Sequence, residues 1–563
     1  MKIKILLYVL GVVALATLSI YAFAQYSIKK IAPDVKSSFT ELDLKNEQSF
    51  ISLVSSPEFK NEIINKSIIG FGEATHGTSE FREAFVQTAK ALILSKKINI
   101  IAYAERDFNE SIKVNDYVLN KKEGQNASTI LPYSSSIEKE FIDWLANYNK
   151  DKAETEKIWV LGLDIFNARY ATFNTLEYCK ENHITLNQDV QMFLSDLASL
   201  PLFYNVYKAK YSLNTQLQHV KYLQSLVEHE KTPGNDLQNR LLQHSIATLT
   251  KTLQFSDSQN HKLRDSAMFE NIVWLKKQRN NASMLILGHN SHIEKMKGNV
   301  LSEQNPRLGW LLEQHYKADY FAIATEVSEG QYRSGASGKI FNIPESSNKI
   351  GNIIGECVSG NFGLLNLRKS QKVHEYFNKD HYITYGVLDS DMPTYPKHLN
   401  FSDAFDAVLW ARTSSPLIIS SPDSYSFFFA SNLNESLKRT NYLDVSFDSK
   451  IAFQKDKFLN NEPSFGIVFF QKRKATSLQL HPIINPNSSF KLEIPSLADS
   501  VVVFIAGESA DSVRLTNLTI NKSKIELKKI NFDGVNYQKQ IHSPYDVSVF
   551  LKPKRTDFKN KSN

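Results

Sequence analysis

The sequence predicts an α/β fold with a mainly parallel sheet flanked by helices, interrupted by an all-helical insertion and followed by a C-terminal all-β domain. Three observations lead there. From about residue 31 to Pro416, short β-branched apolar runs alternate with stretches of helical periodicity, the pattern of parallel strands joined by crossover helices. Within this span, roughly residues 172–280 carry helical periods alone. After Ser414-Ser415-Pro416 the helical periods stop, and short apolar runs separated by Asn, Ser, Pro and Gly take over, as in a small β-sandwich.

Taken in order, Met1-Lys2-Ile3-Lys4 is a basic n-region ahead of the apolar run Ile5 to Ala24, and Ala22-Phe23-Ala24 offers a small-x-small cleavage pattern before Gln25. Residues 1–24 therefore read as a signal peptide or, because the run is long enough to span a bilayer, as an uncleaved anchor. Either way the remainder is exported, periplasmic or tethered facing the exterior. The α/β domain is expected over residues 31–420 and opens with Ser67 to Gly72, a buried-strand run leading into Glu73-Ala74-Thr75-His76-Gly77-Thr78 and then a helix from Ser79 to Lys96. Similar runs follow: Asn99–Ala104 into Glu105, Ile158–Leu163 into Asp164, Met284–Gly288 into His289-Asn290-Ser291-His292, and Tyr320–Ala324 into Thr325-Glu326.

The insertion offers helices at Leu186–Leu200, Leu213–Glu230, Asp236–Phe255 and His261–Gln278, with Pro233-Gly234 as a break and Asn235-Asp236 as a cap. Its His219, His229, His244 and His261 read as packing or surface residues. In the C-terminal domain, residues 430–555, strands are expected at Tyr442–Phe447, Phe465–Phe470, Val501–Ile505, Val513–Leu518, Lys524–Ile530 and Val547–Leu551, before a basic tail from Lys552 to Asn563. No chemistry is legible in that domain.

At 563 residues the chain exceeds one ordinary domain and can bury a sizeable core. Its net charge of +7 is spread over scattered Lys without a dense basic stretch, which argues against a nucleic-acid partner. Cys179 and Cys357 are the only cysteines, too few for a disulfide framework or a thiolate metal site, though one bridge between them stays open.

Most of the strand runs end in an ionisable group. One charge after a strand often only meets solvent, but parallel strands gather their C-terminal ends along one edge, where α/β folds place their chemistry. The candidate catalytic residues are accordingly Glu73, His76, Glu105, His289 and His292. Glu73 and His76 share a turn, so the carboxylate can fix the ring tautomer and raise its basicity, equipping His76 to deprotonate water. Glu105 is placed to orient that water, and His289 and His292 to stabilise an oxyanion. Arg82 and Asp164 are candidates for holding substrate, and Arg82 can also keep the carboxylates ionised. No G-x-S-x-G elbow follows any strand, and Ser291 lacks the flanking glycines of such a turn. A metal held by His76, His289 and His292 with Glu73 or Glu105 remains a second reading of the same residues.

Gly72-Glu73-Ala74-Thr75-His76-Gly77-Thr78-Ser79-Glu80-Phe81 followed by Glu105 resembles the erythromycin esterase family of antibiotic-inactivating hydrolases. The resemblance continues through Asp143-Trp144-Leu145 with Tyr148-Asn149, Gly162-Leu163-Asp164, Arg264-Asp265-Ser266-Ala267-Met268 with Asn271, Gly288 to Ile293, and Phe405-Asp406-Ala407-Val408. It spans about Ile64 to Pro416 and leaves the C-terminal domain uncovered. It implies a hydrolase that opens a macrolactone ester by general-base activation of water, without a metal, cofactor or covalent acyl-enzyme. His76 would be the base, Glu73 its essential neighbour, His289 and His292 the remaining essential imidazoles, Glu105 and Arg82 further cleft positions, and Arg264, within its matching motif, a candidate for holding substrate. Ala146 stands where the family is expected to carry Arg, so substrate does not transfer with the motif. The partner this implies is a small-molecule ester. Besides the metal-dependent hydrolase, a catalytically silent envelope binding protein remains an alternative, against which the intact carboxylate and imidazole set argues.

Overall fold

The computed structural model describes residues 25–524 apart from breaks, the longer of which fall at 201–210, 230–236, 298–305, 385–396, 419–426, 431–441 and 454–463. The N-terminal apolar run, the Pro233-Gly234 break with its cap, the Val547–Leu551 strand, nearly all of Lys524–Ile530 and the basic tail lie outside the described residues. No described helix is long and apolar enough to cross a membrane. The chain divides into two compact units. One is formed by the chain up to Arg106 with Ser135–Asp164 and Met268–Ile418, the other by Asp107–Ser134, Ile165–Ala267 and the chain from Ile419 onward.

The first unit is built on a nine-stranded sheet. Its strands are β1 (Phe39–Glu41), β2 (Ile68–Glu73), β3 (Ile100–Asp107), β4 (Trp159–Asp164), β5 (Met284–His289), β6 (Tyr320–Arg333), β7 (Ile340–Ile343), β8 (Phe362–Asn366) and, after a two-residue ladder of β9 (His381–Tyr382) with β10 (Lys397–His398), β11 (Ala407–Ser414). The order is β1-β8-β11-β6-β2-β5-β3-β4, with β7 added to the end of β6. The ladders from β11 through β6, β2 and β5 to β3 are parallel, whereas β1, β8 and β7 pair antiparallel. The sheet is thus mainly parallel, as its sequence pattern predicts.

β2, β4 and β5 are buried at every position, which is why they read as continuous apolar runs instead of alternating ones. The helix Ser79–Leu94 carries the crossover out of β2, and its Phe85 stacks edge-on against Phe71 of β2 at 5.6 Å and Tyr103 of β3 at 5.7 Å. Each buried ring or branched side chain of this kind contributes on the order of 1.5–3 kcal/mol. The apolar run of β6 ends at Ala324, yet the strand continues to Arg333 because Val327 and Tyr332 stay buried while the polar residues between them pair with β11 and β7. β1 and β8 are three and five residues long and carry no periodic signal of their own.

In the second unit, the four expected helices appear as Gln188–Ser199, Leu213–His229, Leu237–Ser258 and His261–Gln278, the last of which continues into the first unit. A further helix, Ala168–Glu181, precedes them. Its buried face is Ala168, Ala171, Thr172, Asn174, Thr175, Tyr178 and Cys179, small or polar at most positions, so its hydrophobic period is faint. His219, His244 and His261 each pack on an aromatic ring, of Phe193, Phe108 and Phe255, which bears out their packing role. Cys179 and Cys357 form no disulfide with each other, and both are buried.

Beyond Ile419 the described strands make two antiparallel four-stranded sheets. One runs Phe427–Ala430, Ser500–Ala506, Ser464–Gln471, Lys474–Pro482, the other Asn487–Glu493, Tyr442–Phe453, Ala510–Ile520, Ser523–Lys524. Phe465 of the first meets Phe447 and Phe490 of the second at 5.1 and 5.7 Å, the facing contacts of a sandwich.

Gly77 is a backbone junction: its carbonyl accepts from Arg333 N at 2.9 Å and Leu417 N at 2.8 Å, and a Cβ there would lie 1.8 Å from the Arg333 oxygen. Backbone cannot yield as a side chain end can. Gly77→Ala should therefore lower unfolding free energy by about 1–3 kcal/mol, the usual cost of overpacking, as read from urea denaturation. A wild-type midpoint would refute the junction.

Candidate functional site

β2 ends at Glu73 and the chain turns at once, so that Ala74 and Thr75 carry His76 back over the strand end and Arg82 follows on the first turns of the helix Ser79–Leu94. β3 delivers Glu105, and β5, in register with β2 so that His289 pairs with Glu73, delivers His289 and the short helix Asn290–Ile293. The sheet thus brings together all five candidate catalytic residues and Arg82. Asp164 ends β4 and is buried. Arg264 lies on the helix His261–Gln278, in the second unit.

His76 is held between two carboxylates. Its Nδ1 lies 2.9 Å from Glu73 Oε1, and its Nε2 lies 3.3 Å from Glu105 Oε1. Glu73 is in turn paired to Arg82, whose Nη2 lies 3.2 Å from Oε2. Glu105 Oε1 also faces His292 Nε2 at 3.6 Å, while Oε2 accepts the backbone N–H of His289 at 3.1 Å. Glu73 is only 3 % exposed.

Burial favours neutral forms, and here the neighbours overrule it. Desolvation pushes the Glu73 carboxyl up, yet the Arg82 guanidinium and the His76 ring hold it below the usual carboxylate range. Desolvation likewise pushes His76 down, but Glu105 and then Glu73 raise it to about 9. His76 therefore rests as an imidazolium at neutral pH. His289 goes the other way: burial, followed by the charges of His76 and His292, holds it well below 6.5.

The hydrogen bonds of His289 agree. Its Nε2–H donates to the Ala74 carbonyl at 3.1 Å, and its Nδ1 accepts the Ser291 N–H at 3.2 Å with Ser291 Oγ 2.9 Å away. That is the neutral Nε2–H tautomer. The oxyanion role expected for this ring meets a nitrogen already committed to backbone. Of the two imidazoles of the motif, His292 is the one that faces Glu105 through its Nε2.

Sequence reasoning passes over three residues here. Asn290 clamps β6, its Nδ2 donating to Thr325 O at 3.0 Å and its Oδ1 accepting Thr325 N at 3.2 Å. Thr325 Oγ1 accepts the Ala74 N–H at 2.8 Å. Gly72 leaves room for that amide, since a Cβ there would lie 2.2 Å from Asn290 Oδ1. A Gly ahead of the Glu and an Asn after the His were the available signals, but only the register of β2 between β5 and β6 gives them meaning.

Glu73, His76 and Glu105 offer ligand atoms all within 4.8 Å of one another, a spacing that suits a cation as well as a proton relay.

Comparison with known proteins places the chain. The erythromycin esterase profile matches residues 96–414, a span holding Glu105, Asp164, Arg264, His289 and His292, with Glu73, His76 and Arg82 just ahead of it. A solved Bacillus cereus protein is similar with a TM-score of 0.59 at 21% identity, covering 69% of this chain and 98% of its own. A succinoglycan biosynthesis protein gives 0.56 at 19%, covering 69% and 98%, and an erythromycin esterase mutant in its open conformation gives 0.49 at 17%, covering 66% and 98%. At such identities the first two likenesses concern the fold alone.

The raised His76 value has a thermodynamic consequence. A group whose folded pKa exceeds its unfolded one contributes stability that is complete below 6.5 and is lost as pH rises through about 9. The stability difference between wild type and His76→Gln should therefore move toward the variant between pH 6 and pH 10, as measured by urea unfolding. A difference that is flat across this window would mean that the ring is not charged between its two carboxylates.

Proposed function

We propose that this chain, which belongs to the erythromycin esterase family, is an exported hydrolase that opens a carboxylic ester with water activated at His76. The observation that carries this reading is the seating of His76 between Glu73 and Glu105. Glu73 fixes Nδ1 as a donor, so that Nε2 is the nitrogen available for proton transfer once its own proton has left. The neutral Nε2 takes a proton from water as the water oxygen adds to the ester carbonyl carbon. The oxyanion forms beside His292, and collapse expels the alkoxide, which takes the proton back from His76. Atoms balance as ester plus water to acid plus alcohol. The basic n-region and apolar run before Gln25 support export or a membrane tether. A macrocyclic lactone is the first substrate to test, since the family takes its name from one. Ala146 leaves the substrate range of this chain its own.

A metal-dependent hydrolase is the second reading, favoured by the three-ligand spacing of Glu73, His76 and Glu105. The Arg82 guanidinium on Glu73 weighs against it, because a divalent cation would have to compete with that charge.

Incubating erythromycin with the purified chain and reading the product by mass spectrometry should show the gain of one water. An unchanged mass, repeated over a panel of smaller esters, would sink the hydrolase. On the ester that is turned over, His76→Asn should cost about a hundredfold or more. Since the free base appears only as pH rises through about 9, kcat/KM should climb across that range; a plateau already reached near pH 7 would remove neutral His76 as the base. Glu73→Gln should shift the climb to lower pH while the maximum falls, because the carboxylate that raises the ring is gone. Activity should persist in EDTA, and loss with recovery on adding a divalent ion would decide for the metal.

A further inference from the structure

The turn that carries His76 is fixed through one residue. The N–H of Ala74 belongs to the peptide that leaves Glu73, and its carbonyl belongs to the next peptide toward His76. Thr325 Oγ1 on β6 accepts the first at 2.8 Å, and His289 Nε2 on β5 donates to the second at 3.1 Å. Two of the three peptide planes between Glu73 and His76 are therefore set from opposite sides. The partners are themselves fixed by the residues that follow His289: Asn290 holds both backbone groups of Thr325, and the Ser291 N–H occupies His289 Nδ1, leaving the ring proton on Nε2. His289 is 1 % exposed, and its ring stands edge-on to His76 at 5.3 Å between centroids.

We infer that His289 is a positioning residue, a neutral imidazole whose Nε2–H pins the Ala74 carbonyl and thereby aims the Glu73–His76 pair, in place of touching the substrate. The kinetic consequence rests on the hydrolysis proposed above; the placement of the proton does not. The tripeptide His289-Asn290-Ser291 then works as one bracket, joining the ends of β5, β2 and β6 so that His76 reaches both carboxylates.

Side-chain isosteres separate this role from a chemical one. The amide nitrogen of glutamine reaches about as far as Nε2, whereas that of asparagine ends near Nδ1, where the Ser291 N–H already points. His289→Gln should keep kcat within about tenfold of wild type, the worth of one imperfect hydrogen bond. His289→Asn should lose about a hundredfold, as misplaced catalytic groups do, with KM unchanged in both. Independently of any substrate, nitrogen NMR of the full chain labelled at its 14 histidines, assigned by the signals missing in His289→Gln, should show Nε2 protonated and Nδ1 bare at pH 7. A proton on Nδ1, a glutamine variant as inactive as the asparagine one, or a raised KM would each overturn the assignment. Should no ester be turned over at all, the functional reading fails while the tautomer still decides this one.

Discussion

Glu73 is a carboxylate kept out of water at the end of a fully buried strand, and the surrounding site is arranged around keeping it charged. Removing such an ion from solvent costs several kcal/mol even after the protein relaxes, and neither β2 nor its turn supplies that from backbone alone. Arg82 Nη2 lies within reach of both oxygens, and His76 Nδ1 meets Oε1. His76 is thereby recruited as a counter-ion, and Glu105 closes the set from the next strand but one. Two carboxylates face a guanidinium and an imidazolium, so the cluster is neutral as a whole. Taking one member away would leave its partner charged in a poor solvent, which ties the four residues together more firmly than any single distance between them.

Neutrality alone would not place the atoms, because each of these side chains is long enough to pair in several ways. Placement comes from the sheet. Parallel register sets His289 beside Glu73, and the backbone N–H of His289 fixes Glu105 Oε2, so that the other oxygen is turned toward His76 and His292. Gly72 has no side chain because the Asn290 amide occupies that space to reach β6. A glycine that looks like mere strand punctuation is thus a condition for the geometry two residues later.

The parts of this arrangement that depend on local pattern are legible in the sequence. Strands β2 to β6 announce themselves as apolar runs because both faces are covered, and Glu73, Glu105 and His289 are visible as the charges on which those runs end. The Ala168–Glu181 helix hides because its buried face is built mostly from Ala, Thr and Asn, and β1 and β8 because three to five residues are too few to show a period. In the site, the pairing of Glu73 with His76 follows from their spacing on one turn. The commitment of His289 to a backbone carbonyl does not, since it depends on which strand lies beside β2. A histidine after a strand looks the same in sequence whether its proton faces a substrate or a peptide group. Asp164 shows the same ambiguity: it closes β4, a position that a list of charged strand ends cannot separate from the Glu73, His76 and Glu105 cluster.

The same electrostatics that assemble the cluster also set its resting state against the chemistry proposed for it. With Glu73 on Nδ1 and Glu105 on Nε2, the His76 ring carries both protons near neutrality and has no lone pair with which to take a third. A ring poised at 6.5 would be a readier base but a poorer counter-ion for Glu73. The two demands separate at Glu105, whose carboxylate is more exposed than Glu73 and already turned toward His292. If a substrate carbonyl entering between Glu105 and His76 weakens that contact, one of the two carboxylates that raise the ring is removed. The Nε2 proton then becomes easier to lose at the moment when a base is needed. In this account Glu73 is the permanent partner and Glu105 the exchangeable one, which explains why the first is sealed at a strand end and bolted to Arg82, while the second lies where it can meet solvent.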